Sequence, residues 1–178
     1  MFFLRKIDIE NWDGKQCLDA VSVSDLSTKD NDLSVWQIDD KSFLDVVGLT
    51  IAMTRDKLSD FYVVILDADR ISELGLIVSN QPGESHYKEN NNLHRNIKMP
   101  TLWEMGYISE YIHDLLKDKA NFHYFALPEL KDLLYQEVKN KRFDYHQITE
   151  KKIRSTLINI CQDKNDKILL KEIEGLSI

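Results

Sequence analysis

The sequence predicts an α/β protein: a single domain with a mixed sheet of five or six strands flanked by helices, with an α+β layout as the alternative. Three consecutive stretches carry that reading. Leu33–Ile38, LSVWQI, alternates apolar and polar residues as a strand with one wet face does. Lys41–Leu58 is helical in length, and Phe43, Val46, Val47, Ile51 and Met53 make most of its girth apolar, as in a buried helix. Phe61–Leu66, FYVVIL, is a run of six apolar residues without alternation, the pattern of a strand covered on both faces. Strand, helix and interior strand together make one βαβ unit over 33–66, for which a right-handed crossover is the rule.

The other elements follow in chain order. Phe2–Ile7, FFLRKI, reads as a first strand, and residues 15–27 contain a short helix before the polar turn STKDND. Asp39, Asp40 and Ser42 offer N-caps to the helix after them. ADRISELG makes a turn or two of helix that stops at Gly75, a residue free to take a left-handed backbone. Leu76–Ser79 is a short strand. Only nine residues separate it from Phe61–Leu66, and a parallel crossover between neighbours needs about a dozen, so the two strands are antiparallel or not adjacent.

From Ser79 to Pro100 the apolar period vanishes, and the stretch reads as a long loop, functional or merely solvated. Thr101 and Glu104 then form a capping box. The helix they start runs to about Lys117 with Leu102, Met105, Ile108, Ile112 and Leu115 on one face, and Trp103, Tyr107 and Tyr111 form an aromatic stripe beside it, which reads either as the shoulder of the core, the commoner case, or as a partner-binding face. Phe122–Leu127 is a further strand. Pro128 suits the first turn of a helix ending near Lys141. Another helix starts at Thr149, and Lys167–Leu176 closes the chain as a strand. No linker divides residues 1–178. The weakest point is a C-terminal extension of helix and strand from about residue 140.

Composition narrows the function classes. At 178 residues the chain is long enough to bury about two-thirds of its unfolded surface without disulfides or metal. A net charge of -7 argues against nonspecific contact with nucleic acid. Cys17 and Cys161 have no ligand spacing around them and read as reduced thiols. The start, MFFLRKIDIENWDG, lacks a signal-peptide core, and the longest uncharged apolar-rich run, Val46–Thr54, is half a membrane span. A soluble, cytoplasmic protein that does not enter membranes is the expectation. Phosphate-binding glycine loops, nucleophile elbows, zinc-protease and EF-hand motifs are all missing from the sequence.

The sharpest local signal is VVILDADRIS, where Asp67 and Asp69 stand at the end of a buried strand. Strand ends are where open α/β sheets gather ligands, and carboxylates there suit Mg²⁺ or Mn²⁺. The fragment resembles the Asp-x-Asp that ends a strand in haloacid-dehalogenase-like phosphatases and in GT-A glycosyltransferases. The likeness spans about ten residues. It departs from the phosphatase pattern at Ile71, where Thr or Val is usual, and only one βα unit precedes it where a GT-A fold has a nucleotide-binding half. Neither family is assigned. The βαβ unit would set Asp39 and Asp40 at the same end as Asp67, making an acidic rim. The bland alternative is that Asp67 or Asp69 caps the short helix that follows.

Two functional expectations result. The leading one is a protein-binding module, accessory or regulatory, that uses no cofactor and meets a protein partner or its own copy through Trp103, Tyr107 and Tyr111. The alternative is a divalent-metal-dependent hydrolase or phosphoryl-transfer enzyme. It would use Asp67 and Asp69 as catalytic carboxylates, with Asp39 and Asp40 as further metal ligands and Mg²⁺ or Mn²⁺ as cofactor. His86 and His94, in the long loop, are candidate proton-transfer groups. His113, His123 and His146 read as solvated or structural.

Overall fold

The computed structural model describes residues 1–26 and 30–175. Six strands stand among the described residues, β1 (Phe2–Ile7), β2 (Asp32–Ile38), β3 (Phe61–Asp67), β4 (Ile77–Asn80), β5 (His94–Lys98) and β6 (Phe122–Phe125). Seven α-helices stand among the described residues: α1 (Ala20–Asp25), α2 (Leu44–Ala52), α3 (Ala68–Glu73), α4 (Leu102–Leu115), α5 (Leu127–Lys139), α6 (Lys151–Asp163) and α7 (Lys167–Glu174). The strands make one sheet in the order β4-β5-β2-β1-β3-β6, and every neighbouring pair is antiparallel.

The register fixes what shares an end of the sheet. Phe2 pairs with Ile38 on one side and with Asp67 on the other. β2 and β3 therefore run in the same direction with β1 between them, and α2 lies between them in the chain, completing the strand–helix–strand unit over 33–66. β3 is interior, with β1 and β6 as neighbours, and Val63–Leu66 are buried without alternation. β3 and β4 are not adjacent, so the short link between them spans three intervening strands.

The chain divides into two compact units whose sequences interleave: 1–44, 61–83 and 92–125 form the first, and 45–60, 84–91 and 126–178 the second. The first holds the sheet. One sheet face gives Phe3 and Ile7 of β1, Leu33 and Val35 of β2, Val64 and Leu66 of β3 and Ile97 of β5 to a core shared with Met105, Ile108 and Ile112 of α4. Those three α4 positions follow the i, i+3, i+7 spacing of one helical face. The second unit collects α2, α5, α6 and α7. Within it the Tyr87 hydroxyl donates to Glu137 Oε2 (2.9 Å), and Glu137, itself buried, pairs with Arg142.

Several sequence expectations change. Lys167–Glu174 is helix α7, not a closing strand. Its buried residues, Leu169 and Ile173, recur every four positions rather than every two, and Asp166 caps the Leu169 N–H (3.2 Å). The helix expected over 41–58 begins with a 3₁₀ turn and ends at Ala52. There the Thr54 hydroxyl donates to the Ile51 carbonyl (2.8 Å), which a longer helix would give to residue 55. The helix expected over 15–27 is confined to Ala20–Asp25, with Asp19 capping the Ser22 N–H (2.9 Å); of that range, residue 27 lies outside the described residues.

The largest correction concerns Ser79–Pro100. Its first part still belongs to β4, which ends at Asn80, and its later part is β5, a central strand paired on both sides. Between them the asparagines fold the chain on itself. Asn91 accepts from the Ser85 N–H (3.0 Å) and hydroxyl (2.7 Å), and Asn90 donates to Thr50 (2.9 Å).

Candidate functional site

The acidic rim exists as backbone placement. Ile38 and Asp67 flank Phe2, so Asp39, Asp40 and Asp67 sit at one end of the sheet. The Ile38 and Asp67 backbones are two strand spacings apart, about 10 Å. Their carboxylates have local work. Asp67 Oδ1 accepts the Asp69 N–H (2.8 Å) and so caps α3. Asp40 Oδ1 accepts the Ser42 N–H (2.7 Å) and the Ser42 hydroxyl. These bonds, the hydroxyl first, hold the Asp40 carboxyl below its ordinary range. Asp39 and Asp69 are exposed. Among the described residues no group of three or more His, Cys, Asp or Glu side chains is placed to hold a metal ion. The fold thus uses Asp67 as an N-cap and does not gather the four aspartates into a coordination shell.

The two loop histidines part company. His94 opens β5 in the first unit, where Nδ1 donates to the Gln81 carbonyl (2.8 Å) and the ring meets Trp36 edge-on at 5.1 Å. Burial, followed by the charge of Arg95, lowers its pKa against the raising effect of the Gln81 bond. A neutral, donor-engaged ring against an indole is a packing element. Gly83 completes that packing: a Cβ there would stand 2.5 Å from Trp36. His86 belongs to the second unit, where its N–H bonds the Met53 carbonyl (3.2 Å) and its ring contacts Thr149 (3.4 Å).

The α4 face differs in kind. Thr101 and Glu104 form the capping box the sequence signals: Thr101 Oγ1 accepts the Trp103 N–H (3.2 Å) and Glu104 accepts the Thr101 N–H (3.0 Å). The first turn is therefore anchored at its backbone. From it project Leu102, 82% exposed, Trp103, 75%, and Tyr107, 46%. Leu102 is not in the buried face where its spacing put it. It shares helical phase with Met105, but it is the first helical residue, one turn ahead of the packed stretch. Tyr111, the third member of the expected stripe, is half-buried, and its hydroxyl accepts the Asp67 N–H (3.0 Å). The outward line is thus Trp103, Tyr107, Glu110 and Asp114, aromatic in its first half and acidic in its second.

Sequence spacing could have separated these faces. Met105, Ile108 and Ile112 define the inward phase, and positions 103, 107, 110 and 114 lie opposite it at i, i+4, i+7 and i+11. Ile77 on edge strand β4 is another exposed apolar side chain; it pairs with Lys98, shortly before α4 in the chain. Among the described residues no helix is long and apolar enough to cross a membrane. No family model matches this chain, and neither a curated protein nor a solved structure matches it.

Proposed function

We propose that this chain is a protein-binding module, accessory or regulatory in role and working in the cytoplasm, whose contact surface is the outward face of the first two turns of α4. The observation that carries the proposal is the exposure of Leu102 and Trp103 on a helix start whose backbone is fixed by a capping box. A mobile tail can expose apolar residues at little consequence. A capped helix holds them in one geometry, which lowers the ordering cost of binding. Burying such a side chain against a partner is worth about 1.5–3 kcal/mol, and Trp and Tyr are the residues on which interfaces concentrate their energy.

The rest of the line gives the partner its chemistry. Glu110 continues the stripe beyond Tyr107, while Asp114 is already paired with Lys117 (2.6 Å), so the complementary surface is an apolar pocket with a basic group facing Glu110. The net charge of -7 supports a protein over a nucleic acid.

Site-specific photo-crosslinking tests this. A photoreactive residue in place of Trp103 is expected to capture one dominant protein, or a second copy of the chain, and the same residue in place of exposed Lys152 is not. Tyr107→Ala should reduce the crosslink from 103. Equal labelling from both positions, with a monomer in sedimentation velocity at every concentration, would overturn the reading.

A further inference from the structure

The first unit contains a cavity of about 550 Å³ at the β6 side of the sheet, within the range of small-molecule sites. We propose that it binds a small planar organic anion, an aromatic or heteroaromatic ring carrying a carboxylate or phosphate.

Its floor is aromatic. Tyr62 of β3 and Phe122 of β6 lie on the same sheet face, with ring centroids 6.3 Å apart. Trp12 forms another wall. Its Nε1–H already donates to Asp25 (2.8 Å), so what the indole offers the cavity is apolar ring. Flat walls of this kind favour flat ligands, through area burial and ring offset.

The mouth is rich in ammonium donors. Lys15, Lys117 and Lys119 line it, against the single lining carboxylate of Asp13. Lys15 is paired with Asp19 (2.8 Å) and Lys117 with Asp114 (2.6 Å), so those two cations already have carboxylate partners. Lys119 has no ion pair or hydrogen bond among the described residues, and it is the cation left for a ligand. Two carbonyls at the helix end are already engaged. The Ile112 carbonyl accepts the Leu116 N–H (3.0 Å) and the Leu115 carbonyl accepts Asn121 Nδ2–H (3.3 Å).

The walls are preformed. His113 Nε2–H donates to the Lys15 carbonyl (3.1 Å), tying the loop after β1 to the last turns of α4. Gly14 turns that loop with a left-handed backbone, φ +68°. The site shares α4 with the proposed contact surface but lies at its other end, so either can fail without the other.

Isothermal titration at low salt decides the matter with two matched pairs: naphthalene-2-carboxylate against naphthalene-2-carboxamide, and adenosine 5′-monophosphate against adenosine, with inorganic phosphate alone as the ringless control. At least one anion should bind with a dissociation constant near or below about 1 mM. Its neutral counterpart should bind about tenfold more weakly or worse, and which anion wins separates carboxylate from phosphate ligands. Lys119→Glu, at an exposed site, should weaken that binding by at least about tenfold without moving the melting temperature. Asp13→Asn should strengthen it, because it removes the one opposing charge in the lining. The proposal falls if neither anion binds, if phosphate alone binds as well as the nucleotide, if Lys119→Glu leaves affinity unchanged, or if Asp13→Asn weakens it.

Discussion

Two regions of the first unit compete for functional attention, and they treat their side chains in opposite ways. At the rim of the sheet the conspicuous groups turn inward to local tasks: Asp67 caps α3, Asp40 caps the turn before α2, and His94 donates to Gln81 beside Trp36. At the start of α4, Leu102, Trp103 and Tyr107 face solvent although nothing in the geometry of a helix requires large apolar residues there. A reactive-looking residue with local hydrogen bonds is explained by the fold. An apolar ring held out in water is not, and that contrast is the ground for the contact surface proposed on α4. Under the proposal, the rim residues serve stability and the α4 rings serve association, and each prediction tests one side of that division.

The largest effect belongs to the inward face of the same helix. Ile108 is fully buried in the core of the first unit. Ile108→Ala should cost about 2–5 kcal/mol, read as a lowered denaturation midpoint, through lost transfer energy and the cavity left behind. Gly83→Ala comes next. Its new methyl would approach Trp36 to 2.5 Å, so the indole or the chain must shift. A loss of about 1–3 kcal/mol and a change in tryptophan emission are expected. A silent Gly83→Ala would mean that the Trp36–His94 packing does not constrain residue 83.

Asp67 tests the rim directly. Asp67→Ala should cost about 1 kcal/mol by removing the N-cap, and Asp67→Asn should restore most of that, because asparagine caps as well. A metal ligand behaves otherwise: Asn would not rescue, and Mg²⁺ or Mn²⁺ would raise the melting temperature of the unaltered chain. Neither cation is expected to do so.

How much of this was legible in the sequence depended on what holds each element. β3 was plain because it is buried on both faces, which forces an unbroken apolar run. α4 was plain because its capping box is local. β5 was invisible. His94, Arg95, Asn96, Ile97 and Lys98 include one aliphatic residue, and the strand is held by ladders to β2 and β4, partners distant in sequence. α7 was misread because KILLKEIE is apolar enough for a strand, and only the four-residue interval from Leu169 to Ile173 marks it as helical. At the site the residue types were legible and their assignments were not. Spacing put Trp103 and Tyr107 on one stripe and offered Asp67 or Asp69 as a cap, but the Tyr111 hydroxyl meets the Asp67 N–H only through tertiary packing.

A smaller effect follows from His94. Its pKa in the folded chain lies below the ordinary 6.5, chiefly because the ring is half-buried, with Arg95 adding to the shift. The unfolded chain therefore takes up the proton first as pH falls. The contribution to stability is fully present above about pH 6.5 and is lost as pH drops through the lowered folded value. Melting temperatures of the unaltered protein and of His94→Gln should therefore differ by a constant amount above that pH and converge below it. A difference that grows on acidification would place a favourable charge on His94 and break the packing account of the rim.

The smallest change in stability, and the one that tests the other half of the contrast, is at Trp103. With 75% of the residue in water, little packing is lost on truncation. The Trp103 N–H that Thr101 Oγ1 accepts belongs to the backbone and survives in any variant. Alanine is also the better helix former. Trp103→Ala should therefore leave the denaturation midpoint within about 0.5 kcal/mol of the unaltered chain, whereas a contact residue at the centre of an interface loses about 2 kcal/mol or more of binding on truncation. A stability loss as large as that of Ile108→Ala would show that Trp103 packs within the fold after all. The ring would then have a structural explanation of the same kind as His94, and α4 would lose its claim to be the contact surface.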